Sequence, residues 1–305
     1  MTVFRPHIHN LQARSRIVAA IRAFFAEQDF LEVTTPVRIP APAPEVHINP
    51  VPSGDWFLQT SPELCMKRLL AAGLPRIYQI CPCFRAAERG DRHLPEFTML
   101  EWYGAGMTCQ DMMVQTGELI RAAADAVPGG RSIRRKVDGA WRTVDLSEDF
   151  DRITVADAFA RWASLSAWDA LNAGKFDECL SFEVEPHLGL ERPAFLLDYP
   201  APLGALARKK PDDPHLAERF ELYIAGMEIC NAFGELTDPA EQRMRFAADR
   251  EARNRAGKPV WPLPEAFLSD LEHMPDAAGN ALGLDRLVML LTGAKRIDDV
   301  VCFTP

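Results

Sequence analysis

Three segments of the chain place charged residues among apolar ones, a pattern that favours binding or catalysis over simple packing. They span residues 84–103, 218–236 and 281–287. Charged side chains are costly to bury unless a partner neutralises them. Such segments therefore predict a site that brings fixed charges to a charged ligand.

The middle segment spaces three glutamates seven residues apart, at Glu221, Glu228 and Glu235. Gly226 and Gly234, among β-branched and aromatic residues, favour a hairpin that brings these acids together. Neighbouring carboxylates repel each other, so a divalent metal or an ammonium group is their natural partner. A Mg²⁺ ion that bridges phosphates needs only one or two of them. A surface hairpin with incidental acids remains an equal alternative.

The elements that must position these segments follow one another irregularly. Apolar spacing predicts helices over 11–28, from Ser61 onward, and over 110–126, 154–163, 167–178, 239–255 and 285–292. Strands are predicted at 30–35, 56–59, 77–81, 96–103, 194–198, 220–224 and 227–232, with a Gly-rich turn before the last helix. Hairpin-length connections favour an α+β fold, a mainly antiparallel sheet flanked by helices, over a parallel Rossmann sheet. We expect one domain over 1–305, with a loop or hairpin insertion at 129–151.

The composition and net charge of the chain limit the kinds of partner that the protein can bind. The net charge of −9 disfavours a broad nucleic-acid face, and we interpret the basic runs 131–136 and 208–210 as solvated loops. Seven cysteines without a C-x-x-C pair predict reduced thiols. The N-terminus lacks an apolar signal core, and no stretch is long and apolar enough for a membrane span. We therefore expect a soluble, cytoplasmic protein with no membrane partner.

Together these segments resemble the three motifs of class II aminoacyl-tRNA synthetases. Phe30–Pro36 resembles motif 1, Phe84–Tyr103 resembles motif 2, and Gly283–Arg286 resembles the G-x-x-R of motif 3. The lysyl-tRNA synthetase subgroup is the most similar, on the segments Thr60–Glu63, Pro95–Met99 and Asp198–Pro200. The resemblance covers about residues 11–305 and implies the catalytic fold of that class.

Two departures from the lysyl enzymes narrow the resemblance. Motif 1 begins too early for the N-terminal domain that reads the anticodon in bacterial lysyl-tRNA synthetases, so we expect no such domain and no tRNA partner. Ala281 stands where those enzymes tend to have glycine. Both features are similar to the elongation factor P lysine ligase family. Its members use ATP and Mg²⁺ to activate (R)-β-lysine, or less readily lysine, as an adenylate. They then transfer it to a lysine side chain of elongation factor P. Motif 1 further implies a homodimer.

The resemblance implies a role for each matching residue. Arg85 and Arg286 are the implied catalytic residues, and they hold the phosphates of ATP because a guanidinium is always charged and bidentate. The other implied ATP contacts are Ala87, Glu88, His93, Leu94, Phe97, Glu228, Ile229 and Gly283, with Phe97 stacked on adenine. The implied Mg²⁺ ligands are Glu221 and Glu228. The implied amino-acid contacts are Ser61, Pro62, Glu63, Glu101, Tyr103, Asn231, Phe233, Glu235 and Ala281, with the distal ammonium at Glu101, Tyr103, Asn231 and Glu235.

Motif 2 departs from the family pattern at Ala87, where a glutamate is usual. Glu88 lies one residue later and serves in its place only if the loop shifts. Two alternatives therefore stay open. One is a tRNA-charging lysine enzyme, and the other is a non-catalytic paralogue that binds an amino acid.

Overall fold

The fold places helices on the faces of one large sheet, in a computed structural model that describes residues 7–137 and 139–304. Its helices are α1 (Ile8–Glu27), α2 (Glu63–Ala71), α3 (Cys109–Asp125), α4 (Val155–Trp162), α5 (Ala167–Asn172), α6 (Phe176–Cys179), α7 (Pro239–Arg255), α8 (Glu265–Asp270) and α9 (Leu284–Thr292). Its strands are β1 (Leu31–Glu32), β2 (Arg38–Ile39), β3 (Pro52–Ser53), β4 (Trp56–Leu58), β5 (Arg76–Phe84), β6 (Glu96–Ala105), β7 (Ser132–Val137), β8 (Ala140–Asp145), β9 (Asp151–Thr154), β10 (Ala194–Pro200), β11 (Leu216–Ile224), β12 (Met227–Gly234) and β13 (Ala277–Gly283).

The main sheet runs in the order β1-β5-β6-β13-β12-β11-β10-β9. Its pairs from β5 to β10 are antiparallel, and β1 and β9 join the two edges in parallel. The prediction of an α+β fold with a mainly antiparallel sheet is confirmed. The segment 129–151 contains the two-stranded hairpin β7–β8.

Three local predictions differ from the structure. The Gly-rich turn predicted before the last helix is instead β13, which pairs with β6 and β12 in the middle of the sheet. Its residues are small rather than β-branched, so pairing on both sides, not intrinsic propensity, makes it a strand. The strand predicted over 30–35 is limited to Leu31 and Glu32. The helix predicted over 167–178 is interrupted between α5 and α6.

One face of the sheet is closed by α1, α3 and α9. Helix α1 turns Ala13, Ile17, Ile21 and Phe25 inward at intervals of four residues, so a single stripe is buried. The Phe25 ring stacks on Tyr78 of β5, with ring centroids 4.4 Å apart. Full burial of an aliphatic or aromatic side chain of this size stabilises a fold by roughly 1.5–3 kcal/mol.

Strand β6 shows how the opposite face is left for polar chemistry. Leu100 and Trp102 belong to the core beneath α1 and α3. Neighbouring residues of a strand point to opposite faces, so Glu101 and Tyr103 point away from that core. The sheet thus has one packed apolar face and one face that carries charged residues.

Candidate active site

Strand register gathers residues from distant parts of the chain into rows on the polar face. In the first row Glu101 pairs with Ala281, Ala281 with Asn231, and Asn231 with Glu221. The second row lies two residues along each strand and joins Tyr103, Gly279, Phe233 and Arg219. Both rows present side chains to the same face because the side-chain period of a strand is two.

A cavity of about 390 Å³ lies over these rows. Most of the predicted site residues line it: Ser61, Glu63, Arg85, Glu88, His93, Leu94, Phe97, Glu101, Glu221, Glu228, Ile229, Asn231, Phe233, Ala281, Gly283 and Arg286. The other predicted residues do not form its wall: Pro62, Ala87, Tyr103 and Glu235. Residues from all three segments in which charged side chains lie among apolar ones therefore line the same cavity.

Arg286 anchors one end of the cavity from the first turn of α9. Its Nη1 donates to the backbone oxygen and to Oε2 of Glu228, each at 3.0 Å. Its Nη2 lies 2.5 Å from Nε2 of His93. Burial, followed by the charge of Arg286, lowers the pKa of His93 to about 4. His93 is therefore neutral at physiological pH, and its ring nitrogen can accept from Arg286.

Arg85 extends this basic end along the wall. Its guanidinium lies over the Phe97 ring, 5.1 Å from the centroid, which is within the range of a cation–π contact. Among the described residues, nothing accepts a hydrogen bond from the buried Nε of Arg85. A buried donor without a partner is costly, so this arginine is prepared to bind an anion.

The hairpin β11–β12 brings two of the three evenly spaced glutamates, Glu221 and Glu228, to the cavity wall, whereas Glu235 lies outside that wall. Glu221 accepts from Arg219, Tyr199 and Tyr223 at 2.5–2.6 Å. Burial acts to raise the pKa of Glu228, but the paired Arg286 guanidinium lowers it below the ordinary value. Glu235, the third acid, pairs with Lys67, as described below. Each acid thus has its own cation because the hairpin is buried and a lone charge there is costly.

The other end of the cavity is acidic and largely closed. Glu101 is fully buried and accepts from Ser61 Oγ at 2.5 Å and from Tyr103 Oη at 2.9 Å. Burial, with the nearby Glu63 carboxylate, raises the pKa of Glu101 well above its usual range. Ser61 also accepts from the backbone of Glu63 at the start of α2. Ser61 therefore links the start of α2 to the buried carboxylate of Glu101.

Lys67 was not predicted as a site residue, yet it connects the acids of this end. It lies one helical turn after Glu63, and its Nζ is 2.5 Å from Oε1 of Glu63 and 2.5 Å from Oε2 of Glu235. Burial alone would lower the pKa of Lys67, but the two carboxylates raise it above the ordinary value. The i, i+4 spacing of Glu63 and Lys67 was the available signal. Sequence alone could not supply Glu235 as the third member.

The motif 2 loop has an unusual backbone at Ala87, the position where its sequence departs from the family pattern. Ala87 has φ of +64°, a left-handed conformation that is rare for residues with a side chain. It does not line the cavity, whereas Glu88 does. The loop is held from the side by the backbone hydrogen bond from Ala86 N to Asn49 O, at 2.7 Å. The loop thus places Glu88, rather than Ala87, in the cavity wall.

A proline-rich segment forms another wall that the sequence did not identify. Glu45 lines the cavity, and burial raises the pKa of its carboxyl to about 7. Arg253 of α7 fixes this segment, because it donates to the backbone oxygens of Glu45 and Ile48 and stacks over Trp261. A fully buried arginine here serves the loop rather than the ligand.

Comparison with known proteins agrees with this architecture. The family described as "tRNA synthetases class II (D, K and N)" matches residues 3–305. A relative from Edwardsiella ictaluri (strain 93-146), named elongation factor P--(R)-beta-lysine ligase, is 39% identical over 97% of this chain and 95% of its own length. Relatives of the same name from Salmonella gallinarum (strain 287/91 / NCTC 13346) and Proteus mirabilis (strain HI4320) are 38% and 37% identical, with the same coverage.

The antiparallel sheet, the cavity across its centre and the matched family define a class II tRNA synthetase catalytic fold. Within that class, the chain belongs to the family of elongation factor P (R)-β-lysine ligases. The resemblance drawn from the three motifs is confirmed.

Proposed function

We propose that the protein uses ATP to activate (R)-β-lysine, or lysine, as an adenylate and transfers it to a lysine side chain of elongation factor P. The observation that carries this proposal is the polarity of the cavity. Arginines define one end, and buried carboxylates define the other. A ligand that spans it needs anionic groups at one end and ammonium groups at the other.

ATP would lie at the end formed by Arg85 and Arg286. The buried Nε of Arg85 has no hydrogen-bond partner in the described part of the chain, which supports its role at the α-phosphate and the substrate carboxylate. Arg286 would release its contacts with Glu228 and His93 to meet the outer phosphates. Phe97 would stack on adenine, with Glu88, His93, Leu94, Ile229 and Gly283 around it.

Mg²⁺ would bind Glu221 and Glu228, and the residues present fit that ion. Among the described residues, Oε1 of Glu221 accepts from Arg219 alone, so it keeps acceptor capacity, while Oε2 accepts from two tyrosines. Glu228 has one oxygen outside its pair with Arg286. Two carboxylates suffice, since Mg²⁺ takes its remaining ligands from phosphates and water. The ion would neutralise charge that develops on the phosphates.

The amino acid would place its ammonium groups among Ser61, Glu63, Glu101, Tyr103, Asn231 and Glu235, with Phe233 and Ala281 around its chain. Its carboxylate oxygen then attacks the α-phosphorus of ATP, and pyrophosphate leaves. The neutral amine of the acceptor lysine attacks the mixed anhydride, which gives an amide and releases AMP. No protein nucleophile is required, because positioning and charge neutralisation supply the catalysis.

The decisive experiment measures ATP–pyrophosphate exchange with and without (R)-β-lysine, followed by transfer of labelled amino acid to purified elongation factor P. We expect exchange that depends on the amino acid, and label on elongation factor P. Exchange with transfer to tRNA instead would favour the tRNA-charging alternative. Binding of the amino acid without exchange would favour a non-catalytic paralogue, for which Ala87 is the sequence support.

The substrate pocket is tested by Glu235→Ala, which should abolish exchange. Asp270→Ala is the matched control, because Asp270 is an exposed acid that pairs with Arg68 on the outer surface of the same region. An unchanged rate in Glu235→Ala would remove this pocket assignment. Loss in both variants would indicate a general effect on folding.

We also propose a homodimer and a cytoplasmic location. The exposed Leu31 on edge strand β1 supports the first, because it lies in the segment that resembles motif 1. The seven unpaired thiols support the second, since a reducing compartment keeps them so. Among the described residues, no helix has the length and apolar character required to cross a bilayer. Light scattering on the purified protein would measure the dimer.

A further inference from the structure

Lys67 is a buried cation at the acidic end of the cavity that the reaction itself does not use. Its side chain is only 1% exposed, and it does not line the cavity. Its Nζ nevertheless contacts both Glu63, which does line the cavity, and Glu235, which lies behind the wall. One ammonium group of the protein thus stands where two carboxylates of the substrate pocket meet.

A purely structural explanation fits this arrangement poorly. A buried ion pair is often no more stable than apolar residues of the same volume, because desolvation offsets the attraction. Around Lys67 the buried core contains apolar residues such as Leu64, Met66 and Leu70 on the same helix. A methionine-like side chain would suit that surrounding. The charge of Lys67 therefore calls for a reason outside packing, and both of its partners are pocket acids.

The charge state of Glu235 supplies that reason. Burial raises the pKa of Glu101 well above its usual range and the pKa of Glu235 to about 7, so neither carboxyl is held ionised by its surroundings alone. The ammonium group of Lys67 acts against burial at Glu235, because its charge lowers the pKa of that carboxyl. Without Lys67, burial and the nearby Glu63 carboxylate would both favour the protonated form of Glu235.

We propose that Lys67 is a positioning residue that holds the Glu63 and Glu235 carboxylates together and aims them at the ammonium groups of the amino acid. This inference rests on the proposed function, because it presupposes a diamino-acid substrate. Lys67 acts through the two glutamates and does not contact the substrate.

Several other titratable groups face this pair. They are Glu101 and Tyr103 on β6, Cys109 at the start of α3, Arg208 before β11, and Glu45 near Glu63. Arg208 is half-buried and pairs directly with Glu218, so it does not replace Lys67. Among the described residues, removal of Lys67 therefore leaves Glu63 and Glu235 without a contacting cation, and Glu235 should take up a proton more readily.

The test is the exchange assay with (R)-β-lysine in Lys67→Met, measured from pH 6 to pH 9. We expect the KM for the amino acid to rise roughly 10-fold or more, as for truncation of a buried charge pair, while the KM for ATP changes by less than about 3-fold. The KM for the amino acid should recover in part as pH rises, because Glu235 ionises again. Arg68→Met is the matched control on the same helix, and it should behave as the wild type.

Two further variants keep the proposal falsifiable where Lys67→Met does not fold. Lys67→Gln retains a hydrogen-bond donor without the charge, and Lys67→Arg retains the charge with a larger side chain. If the charge is what matters, the KM of Lys67→Arg for the amino acid should be closer to the wild-type value than the KM of Lys67→Gln. The proposal is overturned by uncharged variants with wild-type KM and pH profile, or by equal losses for ATP and amino acid without a pH shift. A wild-type protein without amino-acid-dependent exchange would instead refute the proposed function.

Discussion

The two ends of the cavity hold their charges in different ways. At the basic end, the Arg286 side chain is 20% exposed. It contacts the carboxylate of Glu228 and the imidazole of His93, and an incoming anion can replace both contacts. At the acidic end, Lys67 and Glu235 are each 1% exposed, and Glu101 is fully buried. Hydrogen bonds and ion pairs that are shielded from water are stronger and harder to rearrange.

This difference indicates where selectivity resides. ATP brings large, flexible phosphates, and a partly open end can adjust to them. A diamino acid is small, and its recognition depends on carboxylates fixed before it arrives. We therefore expect almost any change in the shape of the acidic end to reduce activity. At the basic end, activity should depend mainly on the geometry of the charged groups.

Strand β13 offers the sharpest test, because it has a glycine at each end of the cavity. A Cβ at Gly279 would lie 2.3 Å from Oε1 of Glu235 and 2.3 Å from ring carbons of Tyr103. We expect Gly279→Ala to raise the KM for (R)-β-lysine by about 100-fold and to destabilise the fold by roughly 1–3 kcal/mol through overpacking. Exchange kinetics and thermal unfolding measure the two effects.

Gly283→Ala is the matched control for stability. Its added Cβ would meet only the Arg286 side chain, at 3.5 Å or more, which is ordinary van der Waals contact. The melting temperature should therefore remain near that of the wild type. Equal destabilisation by both substitutions would contradict the distinction between a rigid and an adjustable end.

Arg286→Lys tests the basic end. Lysine keeps the charge but loses the planar fork that contacts two oxygens at once. We expect kcat/KM for ATP to fall about 100-fold, as for removal of one preorganised donor. Calorimetric affinity for (R)-β-lysine without ATP should change by less than about 3-fold, and a matching loss of that affinity would show that the two ends are not independent.

The two ends also differ in what the sequence could predict. At the basic end, Arg85, His93 and Arg286 lie in contiguous motifs, and all three line the cavity as predicted. At the acidic end, the pair of Lys67 and Glu235 joins α2 to the residue just after β12, which lies far along the chain. Such a contact depends on strand register, which no local pattern specifies.

Strand β13 was missed for a related reason. Its small residues lack the β-branched and aromatic pattern of a strand, and the Gly-rich sequence before the last helix was interpreted as a turn. The close approach of Glu235 and Tyr103 explains why glycine is required there. The sheet class was predictable from strand spacing, whereas the strand that completes the site was fixed only by its neighbours.

A smaller effect is expected at Glu45, which lies in the cavity wall between the two ends. Burial raises the pKa of its carboxyl to about 7, so the folded protein retains a proton that the unfolded chain releases near pH 4.5. This contribution to stability is present below about pH 4.5 and is lost as pH rises through 7. The melting temperature of Glu45→Gln minus that of the wild type should therefore be ~1–3 °C higher at pH 8 than at pH 5. A difference that is constant over this range would contradict the raised pKa.

The smallest effect is expected at Ala87, on the motif 2 loop at the basic end. Its left-handed backbone disfavours a side chain by roughly 1 kcal/mol, while a glycine loses about 0.5–1 kcal/mol in chain entropy on folding. Ala87→Gly should thus leave stability nearly unchanged. Ala86→Gly has only the entropic loss, because Ala86 has no positive φ, and it should be less stable by about 0.5–1 kcal/mol. Urea unfolding of the two variants measures this difference.

If Ala87→Gly also leaves the KM for ATP unchanged, the turn rather than the methyl group directs Glu88 to the cavity. A large loss would mean that even the open end depends on a fixed loop.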